Sequence, residues 1–167
     1  MTKSIFTLVM LIGMIFGGLL VLDHLKNKEI QERATAQKQR EDEKQIQCLA
    51  TNIYWEARGE SIEGQVAVAQ VTLNRSQHSD FPDSICKVVY QKTKSTCQFS
   101  WVCEDNYKTT PMQLVNYRVA ESVARDVVAG RRIEKLKEAL YFHAVYVNPG
   151  WKRKKLATFG RHKFYGA

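Results

Sequence analysis

Hydrophobic positions fall into three regimes along this chain, and each predicts a different kind of structure. Ile5 to Leu22 is an unbroken run without a charged residue. Its 18 residues reach about 27 Å as a helix, close to the hydrocarbon thickness of a bilayer. No small-residue cleavage site follows directly: Asp23-His24-Leu25-Lys26 comes next, and the A-x-A pattern Ala34-Thr35-Ala36 lies too far downstream. The pattern predicts an uncleaved transmembrane signal anchor over residues 5–22, with residues 1–4 in the cytoplasm. From Asp23 to about Gln47 the apolar positions nearly vanish among Lys, Glu, Gln, Arg and Ala, with no Gly or Pro. Opposite charges at helical spacing, such as Glu29 and Arg33, fit a solvated helical stalk over residues 23–45. A disordered polar linker is the plain alternative.

Periodic apolar residues begin near Ile46, and residues 46–167 read as one domain with a core of its own. Cys48 to Arg58 predicts a helix stopped at Gly59. Ser61 to Arg75 predicts a second, with Ser61 as N-cap and Ile62, Val66, Ala69 and Leu73 in one stripe. Phe81-Pro82-Asp83 marks a turn before a short helix over Ser84 to Tyr90. Gln91 to Tyr107 has no period and reads as an ordered loop or short strands tied by cysteine. Pro111 to Val128 predicts a third long helix, ended by Gly130. Leu140 to Val147 reads as extended, and Asn148-Pro149-Gly150 as a turn. The fold class is mainly α (α+β) with small β elements.

Charge adds a bias without choosing a partner. Lys+Arg 25 against Asp+Glu 17 leaves a net charge of +8, which suits nucleic acid, phospholipid or the bacterial wall equally. From Trp151 onward, Lys152, Arg153, Lys154, Lys155, Arg161 and Lys163 stand without an acid. That cluster is either a solvated face or an attractor of anionic polymer.

Cysteine usage says more. Cys48, Cys86, Cys97 and Cys103 make an even set suited to disulfides in an oxidising compartment, with all three pairings open. No C-x-x-C pair occurs, and His78, His143 and His162 lie in no tight ligand pattern, so no metal site is expected. The positive-inside rule points the other way, because Lys26, Lys28, Arg33, Lys38 and Arg40 follow the anchor while Lys3 alone precedes it. The cysteines are given precedence, and the domain is expected outside the cytoplasm.

Catalytic chemistry centres on NIYWEARGE, Asn52 to Glu60. On a helix, Asn52, Glu56 and Glu60 share one face at i, i+4, i+8. Apolar walls raise a carboxylate's pKa toward neutrality, the range a general acid needs. An ordinary amphipathic helix with solvated charges explains the stretch equally well. No P-loop, G-x-G-x-x-G or G-x-S-x-G motif is present, and an even cysteine set disfavours a thiol nucleophile with His143 or His162 as base.

The later blocks break that tie. NIYWEARGE, EGQVAVAQVTLNR, FPDSICKVVYQ, CQFSWVC, ALYFHAVYVNPGW and TFGRHKFY together resemble, in order, the SleB-like cell wall hydrolase family over Cys48 to Tyr165. The resemblance implies a mostly helical, lysozyme-like domain that degrades peptidoglycan with a single catalytic glutamate, Glu56 here. It further implies lytic transglycosylase activity at the N-acetylmuramic acid–N-acetylglucosamine bond. Glu60 is a possible second carboxylate, although pairing with Arg58 or capping the next helix is the preferred role. Tyr54, Gln98, Phe99, Ser100 and Trp101 are candidates for the substrate groove, since sugars rest on aromatic faces and bond to amides and hydroxyls. Core packing is the bland alternative for the rings, and a hydrogen-bonded structural role is preferred for His143.

The expectation is thus a single-pass inner-membrane protein whose domain faces the wall from the periplasm. Its partner is peptidoglycan glycan, with no nucleic acid and no cofactor. A phage endolysin and a bacterial wall-remodelling enzyme both fit. An N-acetylmuramoyl-L-alanine amidase, a hydrolytic muramidase and a non-catalytic wall-binding protein are the alternatives.

Overall fold

The computed structural model describes the backbone of residues 2–104, 108 and 112–167, with side chains at residue 10 and from residue 17 onward within those ranges. It divides into two compact units, Met1–Asp42 and Glu43–Ala167. The first unit is helical throughout its described residues, as part of α1 (Thr2–Ala57). Glu29 and Arg33, and Lys28 and Glu32, pair across one turn there. Among the described residues no helix is long and apolar enough to cross a membrane. Most of the expected anchor, residues 5–22, has its side chains outside the described residues.

Cys48 to Arg58 does not form a helix of its own, because α1 runs through from the preceding charged stretch. Nothing between Asp23 and Gln47 interrupts a helix: Gly and Pro are absent, and good helix formers dominate. The second unit otherwise contains α2 (Ile62–Ser76), α3 (Ile85–Val89), α4 (Ser100–Cys103) and α5 (Leu114–Val128). A 3-10 turn at Glu134–Leu136 leads into three strands, β1 (Tyr141–Ala144), β2 (Lys155–Phe159) and β3 (His162–Tyr165).

Helix α2 is the axis of this unit. Ser61 caps it by accepting from the Gly64 N–H, and Val66 through Val71 are all buried. A helix buried on every side belongs in the middle of a core. Val66, Ala69 and Leu73 pack with the end of α1, α3 and α5, together with Phe99 and Trp101. Ala67, Val68 and Val71 pack with Ala57, Leu136, Ala139 and Phe164 on the sheet side. Of the expected stripe only Ile62 departs, at 43% exposed.

Polar residues of α2 position the connector between α5 and the sheet. Gln70 clamps both the N–H and the carbonyl of Ile133, at 2.7 and 3.2 Å. One turn on, Asn74 donates to the Leu136 and Ala139 carbonyls, both at 2.9 Å. Arg75 Nε donates to the Leu140 carbonyl at 2.7 Å. These bonds give a buried irregular connector the partners its backbone requires, and they set where β1 begins.

The strands form one antiparallel sheet in the order β1-β3-β2. Tyr141 lies opposite Tyr165 and Ala144 opposite His162, while β2 and β3 make a hairpin with Gly160 at φ +52°. Alternation on β3 buries His162 and Phe164 and leaves Lys163 and Tyr165 on the other face. No strand was expected specifically over Lys155 to Tyr165, where the basic residues mask a short two-sided pattern. The expected loop over Gln91 to Tyr107 holds a Lys92–Cys97 bridge and the short helix α4. Helix α5 begins at Leu114; Pro111 and Tyr107 lie outside the described residues.

Two disulfides hold the helical half. Cys48–Cys86 ties the end of α1 to α3, and Cys97–Cys103 closes the segment that contains α4.

Candidate active site

Glu56 occupies the last turn of α1, half-buried, with its side chain facing a cleft of about 450 Å³. One wall of the cleft comes from the disulfide-closed segment, through Gln98, Phe99 and Ser100. Further lining comes from β1 and the loop after it, through Tyr141, Phe142, His143 and Trp151. Arg75 of α2 also lines the cleft. On its other side Glu56 borders a smaller space of about 200 Å³, shared with Glu60, Tyr146, Arg161 and His162.

Burial pushes the Glu56 carboxyl up to about 7, from an ordinary 4.5. The positive charge of Arg75 opposes that rise and the negative charge of Glu104 reinforces it. The C-terminal end of a helix is itself an unfavourable place for a carboxylate, which acts in the same direction. A carboxyl of this kind is divided between acid and base near neutral pH, so it can both give and take a proton.

Glu60 does not share that environment. Helix α1 ends at Ala57, so the expected face of Asn52, Glu56 and Glu60 is broken before its third member. Nor does Glu60 pair with Arg58, whose guanidinium lies over the Tyr54 and Trp55 rings at 4.9 and 5.2 Å. Instead the Arg161 N–H donates to Glu60 Oε2 at 3.1 Å and Arg161 Nε to Oε1 at 2.7 Å. The Glu60 side chain is only 4% exposed. Its burial would raise the pKa, but the two bonds and the charge of Arg161 outweigh it and hold the carboxyl below the ordinary range. Gly160 makes room for this latch: a Cβ there would stand 1.8 Å from Glu60 Oε2.

Of the five groove candidates Gln98 and Ser100 line the cleft, and Phe99 borders it from the core, at 3% exposed. Tyr54 and Trp101 do not. Tyr54 is 3% exposed, and its hydroxyl accepts from the Gln113 N–H at 2.9 Å. Trp101 is 4% exposed, and its indole donates to Asn52 Oδ1 at 3.1 Å. Both are core residues, because each ring's polar atom finds its partner inside the fold. Asn52 completes that network by donating to Thr72 at 3.1 Å. His143 bonds the Ala144 carbonyl and the Tyr165 hydroxyl through its two ring nitrogens, and its ring stacks on Tyr165.

Arg75, Tyr141 and Trp151 were missing from the sequence-based site. Arg75 ends the apolar stripe of α2 and reads there as an ordinary cationic helix terminus. Only its burial, at 3% exposed, sets it apart. Among the described residues no cluster of His, Cys, Asp and Glu is placed to hold a metal ion.

A half-buried carboxyl raised to about 7 in a ring-lined cleft, on a helical fold with a small sheet, marks this chain as a candidate polysaccharide-cleaving protein. The chain belongs to the cell wall hydrolase family, whose model matches residues 59–165, beginning just after Glu56. It is 32% identical over 126 residues to a spore cortex-lytic enzyme of Bacillus subtilis, covering 71% of this chain and 36% of the relative. It is 30% identical over 146 residues to a spore cortex-lytic enzyme of Bacillus cereus, covering 83% of this chain and 51% of that protein. The chain thus spans between about a third and a half of these two curated relatives. Among solved structures, the catalytic domain of the Bacillus cereus SleB protein superposes with a TM-score of 0.59 at 29% identity, over 72% of this chain and 88% of that one. The catalytic domain of the germination-specific lytic transglycosylase SleB from Bacillus anthracis gives 0.57, again at 29% identity, over 72% and 93%. The SleB-like family and the mainly helical fold read from the six sequence blocks are both shown.

Proposed function

We propose that this chain cleaves the glycan strands of peptidoglycan between N-acetylmuramic acid and N-acetylglucosamine, as a lytic transglycosylase with Glu56 as its acid and base. The observation that carries this reading is a single carboxyl, raised to about 7, facing a cleft of sugar-binding size. The neighbouring carboxylate, Glu60, is committed to Arg161. Hydrolysis by the usual routes employs two carboxyl groups, whereas intramolecular transfer can use one group twice. The relatives named for spore-cortex lysis and lytic transglycosylation point to the same substrate class.

In this mechanism protonated Glu56 donates to the bridging oxygen as the bond from muramic acid C1 to that oxygen breaks. N-acetylglucosamine leaves with a new hydroxyl. Ionised Glu56 then takes the proton of the muramic acid C6 hydroxyl, and O6 bonds to C1. The anhydro ring closes, Glu56 is protonated again, and no water is consumed. Tyr141 and Trp151 supply apolar faces for the sugars, with Gln98 and Ser100 as polar contacts.

Mass spectrometry of digested sacculi distinguishes the outcomes. Anhydro-muropeptides are expected. Reducing muramic ends would replace this reading with a hydrolytic muramidase, freed stem peptides with an amidase, and untouched glycan with a wall-binding protein. The first step needs protonated Glu56, so activity on sacculi should fall as pH rises through about 7.

The domain's location is part of the same proposal: residues 5–22 anchor the chain in the inner membrane, and residues 46–167 face the wall. Two disulfides support an oxidising compartment. A reporter fused after Ala167 that is active only in the periplasm should give signal, and silence would reverse the topology.

A further inference from the structure

Arg75 is a buried cation with too few partners. Its Nε donates to the Leu140 carbonyl, and its guanidinium lies among the Phe81, Phe99 and Tyr141 rings, with centroids at 5.3, 5.5 and 5.8 Å. One terminal nitrogen is buried with no hydrogen-bond partner at all. Ring faces attract a cation, but they do not neutralise it. A charge in such a place ordinarily sits against an opposite charge. Glu56 is the carboxylate that shares the cleft with it. The two influence each other across the cleft: Arg75 favours ionised Glu56, and Glu56 favours charged Arg75.

We propose that Arg75, and not a second carboxylate, is the group that works with Glu56: a positioning residue whose fixed charge steadies the glutamate anion after the proton has left. The inference rests on the reading of Glu56 as proton donor. A glycan lying in the cleft displaces water and leaves Glu56 facing protein alone, so the attraction to Arg75 strengthens as the anion forms. The carboxylate that remains is still free to take the C6 proton, because no hydrogen bond from Arg75 occupies its oxygens.

The groups around Glu56 fix the sign of the test. Arg75 comes from α2, and Glu104 follows α4 with the opposite influence. Tyr141 and His143 of β1 line the cleft; the histidine is held by Ala144 and Tyr165. On the small-cavity side stand the Glu60–Arg161 pair, Tyr146 and His162. Burial keeps His162 below its ordinary pKa and disfavours its charged form. With Arg75 neutralised, burial and Glu104 are left unopposed, and Glu56 stays protonated to higher pH.

The experiment is the pH profile of muropeptide release from purified sacculi by the full chain and by Arg75→Met and Arg75→Lys. Arg75→Met should be slower near neutrality, with its alkaline limb moved up by about one pH unit, the low end for loss of a neighbouring opposite charge. Arg75→Lys should keep the limb near that of the unaltered protein. A folded, active Arg75→Met whose limb does not move overturns the proposal, and so does an Arg75→Lys limb that moves as far as that of Arg75→Met. Should Arg75→Met fail to fold or to act, the arginine side-chain NMR signals of the unaltered protein provide the reading. The Arg75 resonance should step with pH at the Glu56 midpoint and lose that step in Glu56→Gln; no step in the unaltered protein overturns the proposal. Full activity in Glu56→Gln would instead remove the catalytic reading beneath it, a separate outcome.

Discussion

Glu56 and Glu60 lie one helical turn apart in the sequence, yet the structure puts them to opposite uses. Glu56 faces open space with burial as its main influence, and its carboxyl is raised to about 7. Glu60 is also covered by the fold, but two bonds from Arg161 hold its carboxyl low. Burial alone therefore does not make a reactive carboxylate. What distinguishes the two is whether hydrogen-bond donors meet the charge once it is buried.

Their contributions to stability should run in opposite directions with pH. Glu56 has a folded pKa above its unfolded value, so what it contributes is fully present below about 4.5 and is lost as pH rises through about 7. Glu60 has a folded pKa below its unfolded value. Its contribution is present above the ordinary carboxylate range and is lost as pH falls through the folded value.

The largest effect expected comes from removing the charge of Glu56. Glu56→Gln should cut muropeptide release by about a thousandfold. The same variant should be more stable than the unaltered protein at pH 8, by about 1–3 kcal/mol in denaturant unfolding. Lower stability at that pH would show that Glu56 is satisfied after all, and the contrast with Glu60 would fail.

Gly160→Ala strikes the other member. The added methyl would collide with Glu60 Oε2 at a backbone position of positive φ. A loss of about 1–3 kcal/mol is expected from denaturant unfolding. Pairing it with Glu60→Ala should recover the steric part and leave the backbone strain. Simple additivity in that double-mutant cycle would mean that the two residues do not touch.

Glu60→Gln should lower the melting temperature at pH 7 by several degrees, with activity reduced less than tenfold. An activity loss equal to that of Glu56→Gln would return Glu60 to the chemistry. The smallest effect on activity is expected at the cleft wall. Cys97→Ser with Cys103→Ser should slow cleavage a few-fold by loosening Gln98 to Ser100, and the short closed loop limits the loss of stability to about 2 kcal/mol. Unchanged kinetics would show that the wall is rigid without its disulfide.

Much of this comparison was legible in the sequence, and its limits have physical causes. Glu56 stood out because apolar rings precede it on a helix, and local pattern governs that kind of exposure. Helix α2 was readable because Val66, Ala69 and Leu73 keep helical spacing over its length. Glu60, by contrast, depends on Arg161, 101 residues away, a contact that no local pattern encodes. Tyr54 and Trp101 look like groove aromatics until their hydroxyl and indole find Gln113 and Asn52. Arg75 was hidden for the opposite reason. At the end of a helix a cation is the expected residue, and only packing against Phe81, Phe99 and Tyr141 makes it unusual.

The Glu60–Arg161 latch also has a meaning in time. It joins positions 101 residues apart and brings Arg161 and His162 to the rim of the smaller space beside Glu56. Contacts of such separation form after local helices, because a long loop must be closed before the contact returns any stabilisation. Helix α1 can present Glu56 early, while the ribbon that completes its surroundings arrives later. During synthesis Glu56 therefore exists before its surroundings do, and a partly made chain holds the carboxyl without the cleft that raises it.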